Sequence, residues 1–128
     1  MGLKTDEIDA VLRLPAAKRY DHFIKRVADW GDAWGLWSDG WALAASDTGD
    51  RVFPLWPAIE YAERCAVGEW AGFSPERIEV HSLLDELLPK LQRDGIAPAV
   101  FYTPSDRGII ADVFQLSTDL RTELDKVE

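Results

Sequence analysis

Carboxylate and aromatic side chains concentrate in the stretch FPLWPAIEYAERCAVGEWAG, which contains Trp56, Glu60, Glu69 and Trp70. Two carboxylates beside aromatic rings can serve as a general acid and a general base, or can hold a cation or a sugar. The same residues also have a structural interpretation. The arginine four residues after Glu60 predicts an exposed ion pair, and Glu69, which follows a glycine, can accept hydrogen bonds from loop N–H groups. The sequence therefore offers these four residues as a ligand site and leaves the structural role open.

Tryptophans also concentrate in the stretch DWGDAWGLWSDGWAL, where four of them are spaced by 4, 3 and 4 residues. Three glycines interrupt that stretch, and each glycine inside a helix costs about 1 kcal/mol relative to alanine. We therefore predict strands here, with Trp34 and Trp41 directed into the core. Trp37 points to the other face, where Gly35 and Ala42 leave room for a bulky group. Trp37 is for that reason a candidate wall of a ligand site.

Nucleophilic, metal-binding and cofactor-binding patterns are absent from the sequence. Cys65 is the single cysteine, and a nucleophilic cysteine needs a base such as histidine nearby. His22 and His81 are distant from it in sequence, and we expect Cys65 to be a small buried side chain. There is no CxxC, HxxxH, HExxH, GxGxxG, GxxxxGKS/T or GxSxG pattern. We therefore predict no metal, no cofactor and no catalytic residue.

The net charge of −9 is distributed unevenly along the 128 residues. Basic and acidic side chains balance over residues 1–33, whereas residues 57–95 sum to −4 and residues 112–128 to −3. Such a surface repels phosphate groups, so we predict no nucleic-acid partner. A basic protein partner is compatible with this charge, and so is a role in solubility alone.

Targeting and membrane signals are also absent. No apolar run approaches the roughly 20 residues that span a bilayer. The first residues, MGLKTDEIDAVLRL, lack the apolar region of a signal peptide, and Asp6 stands where a myristoylation signal has serine or threonine. We predict a cytoplasmic protein without membrane contact, folded as one domain over residues 1–128.

The spacing of apolar residues predicts two N-terminal helices, over residues 6–13 and 15–30. In the second helix Phe23 belongs to the apolar face, and charged side chains such as Arg19 are expected to lie mostly off that face. Gly31 is expected to end this helix, because a C-terminal glycine readily adopts positive φ.

The pair Asp39-Gly40 predicts a β-hairpin, since a type I′ turn requires positive φ at both central residues. Its strands are expected over residues 34–38 and 41–46. A third strand over residues 51–56 then completes a three-strand meander.

Prolines and a cap residue set further boundaries. Pro54 cannot donate to a strand ladder, so the third strand is expected to lie at a sheet edge or to end early. Helices are expected after Pro57 and after Ser82, and Pro89 should kink the second of these.

The remaining elements complete the predicted fold. We expect strands over residues 77–80, 97–103 and 109–113, and a final helix with leucines on its apolar face. The segment TPSDRG can be an anion loop or a phosphorylation site, but a turn between two strands accounts for its composition. The fold class predicted is α+β, with a largely antiparallel sheet (the three-strand meander plus further strands) covered by about four or five helices.

Three blocks of the sequence, FIKRVADWGDAWGLWSDGWAL, RVFPLWPAIEYAERCAVGEW and AVFYTP, resemble a bacterial family of uncharacterised proteins, domain of unknown function 2750. The resemblance covers roughly residues 19–120. It implies a small, stand-alone bacterial cytoplasmic protein, and it implies no activity, cofactor or catalytic residue.

Two functional hypotheses follow. The first is a non-enzymatic binding or interaction domain, immunity-like or adaptor-like, whose acidic surface binds a basic protein partner by charge complementarity. The second is a protein that binds a small molecule (a sugar or a metabolite), or an enzyme acting on one. Its site would be formed by Trp56, Glu60, Glu69 and Trp70, with Trp37 as a wall.

Overall fold

The structure, a computed structural model that describes residues 3–127, begins with two helices and three strands and ends with two strands and a helix. The helices are α1 Thr5–Leu12, α2 Ala16–Trp30, α3 Ile59–Cys65, α4 Val80–Ser82, α5 Leu88–Asp94 and α6 Val113–Val127. The strands are β1 Asp32–Trp37, β2 Ala44–Ala45, β3 Arg51–Leu55, β4 Ser74–Glu79, β5 Ala97–Val100 and β6 Ile109–Ile110. A 3-10 turn covers Gly68–Trp70, and a π-helical segment covers Leu83–Leu87 between α4 and α5.

The strands form two small sheets. One is four-stranded in the order β2-β3-β5-β6, and the other pairs β1 with β4. The β3–β5 pair is parallel, and the other pairs are antiparallel. The backbones of Trp34 and Trp56 exchange two hydrogen bonds of 2.8 Å, and this bridge joins the two sheets. The predicted α+β class with a largely antiparallel sheet is confirmed.

The predicted three-strand meander is wrong, because β1 pairs with β4 rather than with β2. The chain does reverse at Asp39 and Gly40, which have φ 58° and 147°. The bridge between Trp37 and Trp41 leaves a three-residue loop, however, in place of the predicted two-residue turn. The Ala42 N–H donates to the Leu36 carbonyl at 2.8 Å, and the backbone of Trp56 occupies the next hydrogen-bonding position along that edge of β1. Beyond Ala42 the chain therefore has no position left on β1, and Ala44–Ala45 pair with β3 instead.

The predicted placement of Trp37 and Trp41 on opposite faces is wrong, although Trp34 and Trp41 both pack against the core as expected. Trp37 is bridged directly to Trp41, and a one-residue change from the predicted register moves side chains to the opposite face. The two indoles meet edge to face with ring centroids 5.1 Å apart. A Cβ added to Gly35 would lie 2.8 Å from the Trp41 ring. Trp41 therefore fills the space above Gly35, and Trp37 remains exposed beside it.

Pro54 lies in a strand that has neighbours on both sides, so the prediction of an edge strand is wrong. The Leu55 carbonyl accepts a hydrogen bond from the Phe101 N–H on the β5 side. Because hydrogen-bonding groups alternate along a strand, the Pro54 nitrogen faces the β2 side. On that side, β2 pairs only with Arg51 and Val52. No residue of β2 therefore lies opposite Pro54, which has no N–H group to donate.

The helices follow the predicted pattern more closely. α2 ends at Gly31, which has φ 83°. The π-helical segment Leu83–Leu87 ends two residues before Pro89, so the regular α-helical pattern is interrupted in the turn where the kink is predicted. The cap of the Leu-rich helix differs, because the Glu79 carboxylate accepts hydrogen bonds from the N–H groups of His81 and Ser82. A carboxylate is favoured at this end by the helix dipole as well.

The core lies between the helices and the two sheets. Helices α2 and α6 pack against each other, and α3 packs against β1 and β4. The largest fully buried side chains are Trp56, Tyr61, Phe23, Phe53 and Phe101. Two of these, Trp56 and Phe101, also support the cleft that is described next.

Candidate functional site

A cleft of about 860 Å³ opens between the end of α3 and the loop that joins β5 to β6, called here the β5–β6 loop (residues 101–108). One side is formed by residues that follow α3 and by its last residue. The other side is formed by the β5–β6 loop and the end of β6. The principal lining residues are Cys65, Val67, Glu69, Trp70, Tyr102, Thr103, Asp106, Arg107 and Ile110, with Asp47 at the edge.

Aromatic rings form the floor of the cleft. The Trp70 ring packs edge to face on Trp56 with centroids 6.2 Å apart, and its centroid lies 5.6 Å from that of Tyr102. The fully buried Trp56 indole N–H donates to the Tyr102 carbonyl at 2.9 Å. A buried indole needs such an acceptor, so this hydrogen bond fixes the floor to the start of the β5–β6 loop.

The β5–β6 loop begins with a strained residue. Phe101 is fully buried and has φ 68°, a conformation that costs a non-glycine residue about 1–3 kcal/mol. A Cβ on Gly108, at φ 72°, would lie 2.7 Å from the Phe101 carbonyl oxygen, so only glycine fits at the other end of the loop. Between them the Thr103 N–H donates to the Asp106 carbonyl at 2.7 Å and closes a turn.

Arg19 anchors this loop from behind. It is 3% exposed, and its guanidinium donates to the Leu14 carbonyl at 2.6 Å, the Phe101 carbonyl at 3.3 Å and the Asp106 carboxylate at 2.5 Å. The hydrogen bond from Arg19 lowers the pKa of the Asp106 carboxyl. The expectation that Arg19 lies off the buried face of α2 is wrong. The signal was present, since Arg19, Phe23 and Val27 are spaced by four residues.

The charges of the cleft leave one carboxylate without a partner. Arg107 pairs with Asp47 at 2.5 Å, and Asp106 pairs with the buried Arg19. Among the residues that the structure describes, no cation lies within ion-pair distance of Glu69. Asp47, Glu69 and Asp106 contribute three negative charges to the cleft. Arg107 in the lining and Arg19 behind it contribute two positive charges, which leaves a formal charge of −1.

Tyr102 and Cys65 are both neutral at physiological pH. Burial raises the pKa of the Tyr102 hydroxyl, and the opposing effect of the Arg107 charge is followed by a smaller upward effect of the Glu69 carboxylate. Burial also raises the pKa of the Cys65 thiol to about 11. The thiol donates to the Tyr102 carbonyl, with Sγ 3.5 Å from the oxygen. A protonated, hydrogen-bonded thiol is a poor nucleophile.

The histidines belong to other parts of the fold. His22 lies against the rings of Tyr61 and Phe101, with centroids 6.1 Å away in each case. His81 is in α4, at the start of the Leu-rich helix. Within residues 3–127, no group of three or more His, Cys, Asp or Glu side chains is placed to hold a metal ion.

The structure brings together three of the five residues that the sequence proposed as a ligand site. Glu69 and Trp70 line the cleft, and Trp56 supports it from below. Glu60 lies elsewhere, and Trp37 lies at the end of β1 in the other sheet. A ligand-binding role for any of them stays a prediction.

Glu60 has a structural partner that the sequence did not indicate. Its carboxylate accepts a hydrogen bond from the Leu3 N–H at 3.0 Å. The predicted ion pair with Arg64 is replaced by one between Arg64 and Asp9 of α1, at 2.9 Å. Both contacts hold the N-terminal segment against α3.

A model of the family described as protein of unknown function, DUF2750, matches residues 20–120. The chain belongs to this family. The matched range of the DUF2750 chain contains every residue of the cleft lining, from Asp47 to Ile110, and begins one residue after Arg19. No curated protein and no solved structure matches the DUF2750 chain. No helix in the described part of the chain is long and apolar enough to cross a membrane.

Proposed function

We propose that this DUF2750 chain is a non-enzymatic binding domain whose cleft accepts one basic group, an ammonium or a guanidinium, from a partner. The observation that carries the proposal is the Glu69 carboxylate, which lines the cleft and has no cation within ion-pair distance among residues 3–127. Glu69 is exposed, so an ion pair formed there is worth about 0.2–1 kcal/mol, and apolar contacts must supply the rest of the affinity. The bound cation would also neutralise the remaining formal charge of the cleft.

The apolar parts of the cleft suit the rest of a basic side chain. Lysine and arginine carry an aliphatic stem that packs on apolar surface while the charged end remains at a polar group. Val67 and Ile110 are exposed at the two sides of the cleft and offer such surface. The rings of Trp70 and Tyr102 lie beneath them and close the floor of the cleft.

Binding is favoured over catalysis by the state of the reactive groups. Glycoside hydrolysis, the reaction for which a carboxylate pair is typical, requires two carboxyl groups that are free to exchange protons. Here Asp47 and Asp106 are engaged by arginines, which leaves Glu69 alone. The Cys65 thiol is protonated at neutral pH because its pKa is raised.

The alternative of a sugar ligand receives less support from the aromatic floor. A sugar ring stacks on an exposed aromatic face, but Trp70 is 8% exposed and Tyr102 9%. The net charge of −9 fits a basic partner, since long-range attraction speeds the association of oppositely charged molecules. An immunity-like or adaptor-like role in the cytoplasm is the form of the proposal that agrees with this charge.

The test is a titration of the ¹⁵N-labelled protein with three small probes, followed by NMR. The probes are the Nα-acetyl amides of arginine, lysine and citrulline, the last being neutral and similar in shape to arginine. We expect the two cations to shift the signals of Glu69 and Trp70 with a Kd of roughly 1 mM, or about −4 kcal/mol. Citrulline amide should leave these signals in place.

A matched pair of variants locates the binding. Glu69→Gln should abolish the shifts, whereas Glu63→Gln should not, because Glu63 is an exposed carboxylate of α3 outside the cleft lining. Equal binding of citrulline and arginine amides, or unchanged binding to Glu69→Gln, would show the proposal to be wrong. Shifts produced by glucose or another neutral sugar instead would support the sugar-binding alternative.

A further inference from the structure

We infer that the basic group belongs to a protein segment in which apolar side chains flank the basic residue, an inference that rests on the proposed function. The observation is a set of three exposed apolar side chains beside the cleft. Val67 is 56% exposed, Ile110 43% and Phe114 81%. We call these three residues the apolar rim.

The apolar rim adjoins the cleft through two of its three residues. Val67 and Ile110 line the cleft directly, one on each side. Phe114 is in the first turn of α6, four residues after Ile110. Four residues of chain span at most about 14 Å, so Phe114 lies within the reach of a short peptide that covers Ile110.

Phe114 differs from the other exposed aromatic residues. The Trp30 ring is covered on one face by the Arg26 guanidinium, 4.3 Å from its centroid, and the Trp37 ring packs against Trp41. In the described part of the chain, Phe114 makes no ring contact or cation–π contact. A single exposed apolar side chain is ordinary on a protein surface, so Phe114 carries weight only together with Val67 and Ile110, the exposed apolar residues of the cleft lining.

Charge complementarity decides what kind of partner fits. The cleft has one uncompensated negative charge, at Glu69, and therefore accepts one basic side chain. A free small cation would satisfy Glu69 but would leave Phe114 uncovered. A protein segment with lysine or arginine between apolar residues covers both the carboxylate and the apolar rim, and removes apolar surface from water as it binds.

The experiment compares two synthetic peptides on the full-length protein by isothermal titration calorimetry. One is Ac-Gly-Leu-Arg-Leu-Gly-NH₂, and the other is Ac-Gly-Ser-Arg-Ser-Gly-NH₂, which keeps the charge and removes the apolar flanks. We expect the leucine peptide to bind about tenfold more tightly or better. Phe114→Ser and Ile110→Ser should each reduce that difference.

Val127→Ser is the matched control, because Val127 is an exposed apolar residue of the same helix. It lies about 20 Å from Phe114 at 1.5 Å of rise per residue, and its replacement should leave the peptide affinities unchanged. The serine variants replace exposed side chains, and their circular dichroism spectra and melting temperatures check that they remain folded.

The possible outcomes separate this inference from the proposed function. Equal affinities for the two peptides, both lost in Glu69→Gln, overturn the role of the apolar rim and leave the basic site intact. Binding of neither peptide, together with no response to arginine amide, overturns both proposals. Tight binding of the leucine peptide that Glu69→Gln does not weaken shows an apolar site without a basic anchor, which also contradicts the inference.

Discussion

Replacement of Arg19 by alanine tests the anchor of the β5–β6 loop. The substitution removes three hydrogen bonds from one buried guanidinium, to the carbonyls of Leu14 and Phe101 and to the Asp106 carboxylate. Breaking a fully buried ion pair costs about 3–5 kcal/mol. The Asp106 side chain is 47% exposed and can regain water, so we expect the low end of this range, about 3 kcal/mol.

The measurement is urea unfolding followed by tryptophan fluorescence, with the free energy of unfolding taken from linear extrapolation. Arg13→Ala is the control, because Arg13 is an exposed arginine just after α1 and its loss should change stability by less than about 0.5 kcal/mol. Arg19→Lys keeps the charge but not the planar set of donors, and should lie between the two. A loss below about 1 kcal/mol in Arg19→Ala would refute the assignment of Arg19 as the anchor.

Three further predictions concern the same region. Gly108→Ala should lower the free energy of unfolding by about 2 kcal/mol or more, because φ is 72° and the new Cβ would collide with the carbonyl of Phe101. A melting temperature equal to that of the wild type would contradict this prediction. The pKa of the Asp106 carboxyl is lower in the folded protein than its unfolded value near 3.8, so the ionised carboxylate stabilises the fold. This stabilisation is present above the unfolded pKa and is lost as the pH falls through the folded pKa. The stability difference between wild type and Asp106→Asn should therefore shrink between pH 6 and pH 3, and a constant difference would argue against the Arg19 contact. Cys65 has a pKa of about 11, so iodoacetamide at pH 8 should modify it at least about 100-fold more slowly in the native protein than in guanidinium chloride. Mass spectrometry measures the two rates, and similar rates would mean that the thiol is accessible.

Local patterns in the sequence predicted the helices well. α2 and its end at Gly31 follow from apolar spacing and from the positive φ of glycine, and an irregular turn before Pro89 follows from proline chemistry. The hairpin register did not follow, because it depends on Trp56 reaching β1 from more than twenty residues away. No local signal specifies which distant strand occupies an edge.

The sequence indicated one side of the cleft and not the other. Trp56, Glu69 and Trp70 are close in sequence, and their clustering identified one side of the cleft. The opposite side comes from the β5–β6 loop, more than thirty residues later, whose composition a simple turn explains equally well. Arg19 was missed because a charged side chain is rarely buried without a partner, and its partner Asp106 is 87 residues away.

The two outer strands of the four-stranded sheet, β2 and β6, are only two residues long. Unpaired edge strands are templates on which other chains add by backbone hydrogen bonds, and very short ones limit this route to aggregation. The sheet of this chain, in which 47% of residues are hydrophobic, is therefore protected from edge-to-edge association by its own geometry. Because β6 is so short, a partner that binds at its edge beside Ile110 can form few backbone hydrogen bonds with the sheet. The side chains of the partner must therefore supply both affinity and selectivity.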